Sequence, residues 1–436
     1  MTNSDLIQRG LSFEEYLSTF KITKNSSIQT QRQKILAHVI DSKNKHFEFK
    51  QALSDWNFDY ALPINIADHH TPINKQMLWL SHLLQTIIFW KQKVSLPIIT
   101  LSTGMVSSSN STYGKRFFYK SFQSLNIYNR NANNNIPISL IKDLNIFDQI
   151  VLPSSDLDSK SSIEWIQFWS KLGTTNLVKV ENQKTHTNQI TFFNNQIWKE
   201  MWSVDLAENI PELIFTPLEE ICISLLLQNF KNIPYFQLLF KEDSLMDVLT
   251  ELEAVAMCWN TQNQTGTHFF WFVHPFAPKL ISMKVVDGFL IPAKEDLEEY
   301  KIPWNQESII EALTQKRIIP SVFTCMSVLV FWTGIIPISG FASYKYLEQM
   351  KQKWLKILEK HNYWIELELL KNTPKPFLLA GFNLIVEKDR PISALDLAFS
   401  NGINQTLIKE LLETKTDSVL ELNSDIFEDY WKNKNN

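Results

Sequence analysis

The sequence predicts an α/β protein: an open, mostly parallel sheet with flanking helices, preceded by a helical segment and followed by a helix-rich α+β region. Three observations point there. Two short, apolar, partly β-branched runs, "YALPINIA" (60–67) and "SLPIITLS" (95–102), bracket a long run of helical period. The same strand–helix alternation continues to about Leu206, and beyond Pro211 helical periodicity dominates. The organisation expected is a helical lead-in over 1–59, an α/β domain over 60–206 and a helix-rich α+β region with a short antiparallel sheet over 207–436.

In the lead-in, "SSIQTQRQKILAHVI" (26–40) offers serine caps ahead of an amphipathic run. After the first strand, "TPINKQMLWLSHLLQTIIFWKQK" (71–93) places Thr71 in N-cap position and Pro72 at N1, where a missing N–H costs nothing. Met77, Leu80, Leu84, Ile87 and Ile88 recur on one face, so a helix of about five turns is expected. Strand, helix, strand makes a βαβ unit, which requires parallel strands. Further along, "NIYNRNANNN" (126–135) reads as a loop, "FDQIVLP" (147–153) as a strand, "SSIEWIQFWSKLG" (161–173) as a capped helix and "TNLVKVE" (175–181) as a strand.

Four runs in the second half carry helical period: "PLEEICISLLLQNF", "EDSLMDVLTELEAVAMCW", "NQESIIEALTQKR" and "SYKYLEQMKQKWLKILEKH". Between them "THFFWFVHPFAPKLISMKVVDGFLIP" (267–292) reads as antiparallel strands turning at Asp287-Gly288. These strands either form their own sheet or extend the first one. "ALDLAFSNG" (394–402) has the spacing of an ankyrin repeat's first helix in a single copy, and a helical hairpin is the preferred reading.

Composition excludes some function classes. A formal charge of -4 gives no global pull towards nucleic acid or anionic membrane. Hydrophobic residues at 44%, with 14 Trp and 29 Phe, argue for an ordered globular chain, whereas 10 Gly make glycine-rich ligand loops scarce. Cys222, Cys258 and Cys325 lie far apart in apolar surroundings and read as buried free thiols. Cytoplasmic location follows as the expectation, since the N-terminus has no apolar signal core. One charge-free run, Ile318 to Ala342, is long enough to span a bilayer. Its two prolines, two glycines and hydroxyls favour a buried core helix followed by an apolar strand or turn, and no stable membrane insertion is expected.

Chemistry concentrates at "ADHHTPIN" (67–74). The βαβ reading puts Asp68, His69 and His70 at the carboxyl end of the first strand, where open α/β sheets bind ligands. Strand alternation sends Asp68 and His70 to one side and His69 to the other. His70 is expected as general base, electrophile or ligand with Asp68 orienting it, and His69 as a further candidate. The exit loop of the second strand reaches the same edge. Its Ser102, Thr103, Gly104, Ser107, Ser108, Asn110, Lys115 and Arg116 offer hydroxyls, backbone N–H groups and cations to a phosphate or carboxylate. His268, Phe270, Phe272 and His274 share one strand face, and His274 before Pro275 is a third candidate for the site.

The letters "ADHHTP" resemble the strand-end Asp-His-His of the DHH phosphoesterases, which takes part in binding paired metal ions. The resemblance implies Asp68 and His70 as ligands of a divalent metal, should one be used; the residues by themselves name no cofactor. That family also carries an earlier DxDG-type motif and a later glycine-rich motif, and neither is present: no DxDG occurs among the 67 residues before Asp68. GxGxxG after a strand, HExxH, GxSxG, the EF-hand and the kinase set are missing as well. The function expected is therefore a transferase or hydrolase acting on a small anionic substrate at the sheet's carboxyl edge. The alternatives are a non-catalytic interaction module or a membrane-associated protein using 318–342. Oligomeric state stays open.

Overall fold

The computed structural model describes residues 10–45, 47, 49, 52–105, 116–119, 123–126, 136–140, 185–253, 255, 258–387 and 390–418. Its centre is a five-stranded, all-parallel sheet: β1 (Pro63–Asn65), β2 (Ile98–Ser102), β3 (Leu213–Pro217), β4 (Ile336–Ser339) and β5 (Phe377–Leu378). The spatial order is β5-β4-β1-β2-β3. Asn65 stands between Ile338 of β4 and Thr100 of β2, while Ile98 to Ser102 pair in step with Leu213 to Pro217. Strand order runs outward from β1 in both directions, so it reverses between β1 and β4. Three of the five strands come from beyond residue 206.

β1, β2, β3 and β4 are buried along their whole lengths, as a parallel sheet covered on both faces requires. The helix Gln76–Gln92 joins β1 to β2 and is buried from Gln76 through Phe89. The helix His186–Glu200 packs on β3. Ser26 caps the helix Ser27–Asn44 in a capping box with Gln29, and that helix packs against Leu218–Asn229. Phe341–Lys360 leads out of β4 and contacts β4 and β5.

The expected cap at Thr71 and Pro72 is not used: the helix begins at Gln76, with Lys75 at the N-cap position and no side-chain cap. Tertiary bonds override local propensity here. Asn194 donates from Nδ2 to the Thr71 carbonyl and accepts the Ile73 N–H, and Asn74 accepts the N–H groups of Ala394 and Leu395. Residues 71–75 are thereby held as a loop.

The apolar run resolves into four short pieces: a strand Ile318–Pro320, a helix Val322–Met326 capped by Ser321, a π-helical turn Ser327–Trp332, and β4. The expected core helix is shorter than the run, and the apolar strand after it is the neighbour of β1. No helix among the described residues is long and apolar enough to cross a membrane.

The helices expected at 217–230, 305–317 and 343–361 form as Leu218–Asn229, Gln306–Thr314 and Phe341–Lys360, whereas that at 242–259 stops at Leu252. Met283–Val286 and Phe289–Pro292 pair antiparallel around Asp287 and Gly288, both at positive φ, the signature of a type I′ hairpin. The C-terminal "ALDLAFSNG" supplies a short helix, Ala394–Ala398, followed by Gln405–Glu413. All three cysteines are buried and free. The elements expected at 147–153, 161–173 and 175–181 lie outside the described residues.

Candidate functional site

β1 and β2 stay in register past their last strand residues. The Thr103 N–H donates to the Asp68 carbonyl, the His70 N–H donates to the Thr103 carbonyl, and His69 pairs with Thr103 in a parallel bridge. Extended backbone makes side chains alternate, and burial follows that alternation: Asp68, His70, Ser102 and Gly104 are buried, whereas Ala67, His69, Thr103 and Met105 are half-buried. The sheet's carboxyl edge thus has an inner row and an accessible row.

The inner row is a polar network against the helices Gln76–Gln92 and His186–Glu200. His70 Nε2 lies 2.9 Å from the Thr187 carbonyl oxygen and Nδ1 lies 2.8 Å from Ser102 Oγ. Burial pushes its pKa down to about 4, so the ring is neutral at neutral pH. A carbonyl can only accept, so Nε2 carries the hydrogen and Nδ1 accepts from Ser102. Both nitrogens are occupied, which leaves none for a metal while these bonds stand. Phe215 of β3 lies against the ring at 5.4 Å between centroids.

Asp68 does not orient His70. Its Oδ2 instead lies 3.0 Å from Nε2 of His82, and the same nitrogen is 3.0 Å from Thr100 Oγ1. Burial raises the Asp68 pKa and the His82 contact opposes that rise. His82 edges onto Trp198 and Phe215, so Asp68, His70 and His82 share one side of the sheet.

The accessible row is His69 and Thr103. Burial pushes His69 down to about 4 as well, leaving a neutral imidazole. Thr103 Oγ1 lies 2.6 Å from Oε1 of Glu219, in the first turn of the helix Leu218–Asn229. The same oxygen accepts the N–H groups of Gly104 at 2.9 Å and Met105 at 3.3 Å. The start of the serine-rich loop is therefore a cradle for a carboxyl group, and the protein's own Glu219 fills it. Burial raises the Glu219 pKa, against the pull of the Thr103, Gly104 and Met105 hydrogen bonds.

The exit of β4 completes the edge beside β1. Gly340 is the N-cap of the 20-residue helix Phe341–Lys360, and its N–H donates to Ser343 Oγ at 2.8 Å. A Cβ built on Gly340 would stand 3.6 Å from both the Ala67 Cβ and the Ala380 carbonyl oxygen. Ala67, Gly340 and Ala380 thus pack together where the strand order reverses.

Of the remaining candidates, Ser107, Ser108, Asn110 and Lys115 lie outside the described residues, and Arg116 opens a strand paired with 123–126. His274 is at the end of Phe270–Val273, which pairs with Leu280–Ile281 and Ile318–Pro320 in another sheet; its Nδ1 accepts the Phe276 N–H. Phe270 and Phe272 are core. No group of three or more His, Cys, Asp or Glu side chains among the described residues is placed to hold a metal ion.

Sequence reasoning missed His82, Glu219 and Gly340. A lone histidine inside an apolar helix, an acid just after a strand-ending proline, and a strand–Gly–helix turn were the available signals. No protein-family model, no curated protein and no solved structure matches the chain.

Proposed function

We propose that the chain is an enzyme, a transferase or hydrolase, that binds a small anionic substrate in the crevice between the carboxyl ends of β1 and β4. The observation that carries this reading is the reversal of strand order at that point, where a 20-residue helix starts from Gly340. Open α/β sheets bind ligands at such switch points, and the dipole at a helix start favours an anion. His69, half-buried and neutral, is the general base of this reading. Asp68, His70 and Ser102 hold the strand ends in place from the inner row.

His69→Ala and Gly340→Val test the reading, with inorganic phosphate as the first probe and a co-purifying metabolite as the second. Both variants should keep the wild-type circular dichroism spectrum and lose binding. Retained binding in two folded variants would remove the crevice as the site.

A second reading, a protein-interaction module, is favoured by one observation: Phe276 is 82% exposed between Pro275 and Pro278. A Phe276→Ala variant that loses a partner while phosphate binding is unaffected would support it.

A further inference from the structure

We infer that the cavity between the helix Glu242–Leu252 and residues 258–269 is a second ligand site, which takes a small carboxylate with its charge at the mouth and a short apolar tail inside. None of the central strands lines this cavity, so the site stands or falls independently of the carboxyl-edge crevice.

The walls set the tail. The cavity and its open mouth enclose about 220 Å³, walled by Leu249, Leu252, Phe269 and Phe323. Phe269 sits at φ +58°, a conformation that aromatic residues rarely adopt and that recurs at ligand sites. Its carbonyl accepts from the Ser321 N–H and from Thr324 Oγ1, and its ring stacks on Trp304 at 5.5 Å between centroids. Cys258 and Thr267 add no charge to the wall. Burial pushes the thiol up to about 12, and the hydroxyl donates to the Phe270 carbonyl and accepts the Met283 N–H.

The mouth sets the charge. Leu249 and His268 are the half-buried lining residues and mark that mouth. His268 Nδ1 accepts the Val285 N–H at 3.0 Å, and burial pushes the ring's pKa down to about 4, so the neutral imidazole carries its hydrogen on Nε2. No acceptor among the described residues takes that N–H, nor the indole N–H of Trp259. Lys284 Nζ lies 4.9 Å from the Trp259 ring centroid and has no carboxylate partner among the described residues. The acid whose charge also reaches His268, Glu253, has its oxygens occupied by the Thr261 N–H and hydroxyl. Two N–H donors and an unpaired ammonium beside an apolar cavity select a carboxylate with a hydrocarbon end.

NMR titration with butyrate, butyramide and acetate tests the site. Wild type should bind butyrate about tenfold tighter than butyramide, which lacks the charge, and about tenfold tighter than acetate, which lacks two methylenes of tail. Lys284→Met should bring butyrate level with butyramide, and Leu249→Trp, which fills the half-buried rim, should abolish binding of both. Gly340→Val should leave butyrate binding unchanged; a loss there assigns the butyrate to the carboxyl edge and overturns the second site. Equal binding of butyrate and butyramide to wild type, no binding of butyrate, or butyrate binding unmoved by Leu249→Trp overturns it as well. The wild-type comparison needs no variant, so a failure of Leu249→Trp to fold does not blunt it.

Discussion

Ser102 and His70 satisfy each other inside the protein: Oγ lies 2.8 Å from Nδ1, and the far ring nitrogen is held 2.9 Å from the Thr187 carbonyl oxygen. A serine beside a neutral imidazole has the makings of a nucleophile and its base, but both side chains are fully buried. The bond is structural. Ser102→Ala should cost about 1–3 kcal/mol, the penalty for leaving a buried acceptor unpaired, as read by urea denaturation. A fluorophosphonate probe should leave Ser102 unlabelled in the folded protein; labelling would mean that the pair opens and would give Ser102 a chemical role.

Acid should destabilise the protein through His70. Its folded pKa, about 4, lies below the ordinary 6.5 of an exposed histidine, so between those values the unfolded chain binds more protons. The contribution is complete above pH 6.5 and is lost as pH falls towards 4, on the order of 3 kcal/mol in all. The raised carboxyls of Asp68 and Glu219 act with the opposite sign, holding protons in the folded state and losing stability as pH rises. In His70→Gln the slope of stability against pH over this window should be smaller than in wild type by up to one proton, about 1.4 kcal/mol per pH unit. An unchanged slope would mean that His70 is solvated.

Asp68 and His82 should couple strongly. Removing either partner leaves the other buried beside Thr100, and His82→Ala or Asp68→Ala should each cost about 3–5 kcal/mol. The double variant should cost clearly less than the sum. Additivity in a double-mutant cycle would show that the 3.0 Å contact is not an energetic one.

Two glycines should respond very unequally to alanine. At Gly340 the backbone is in the ordinary extended region and an added Cβ meets only van der Waals neighbours at 3.6 Å, so Gly340→Ala should stay within about 0.5 kcal/mol of wild type. At Gly266 φ is +82° and a Cβ would overlap the Cys258 carbonyl oxygen. Gly266→Ala should cost at least about 2–3 kcal/mol. Thermal denaturation of the two variants side by side checks both statements.

Local pattern made β1, the helix after it and β2 legible, as it did the Asp287-Gly288 hairpin, because period and turn chemistry are properties of neighbouring residues. It also divided Asp68 and His70 from His69 correctly, since alternation needs only an extended backbone. The strand expected after the core helix could not be given bounds or a neighbour: a strand buried on both faces and a buried helix are both uninterrupted apolar runs. Nor could the sequence tell that Asp68 would turn to His82, or that Glu219 would fill the loop after β2. Those partners are chosen by strand order, and strand order is written in no local window. The helix start at Thr71 was misread for the same reason, since Asn194 competes for the backbone there.

The pairing of β1 with β4 has a consequence for how the chain is made. Pro63 finds Ile336 across most of the polypeptide's length, so on the ribosome β1 emerges long before its neighbour exists. Until then one flank of β1 is a bare strand edge of apolar backbone, open to the wrong partner. Contacts so distant in sequence close slowly. A chain truncated before Ile336 should therefore precipitate instead of yielding a smaller folded unit, and its yield should recover when chaperones that shield nascent apolar segments are supplied in excess.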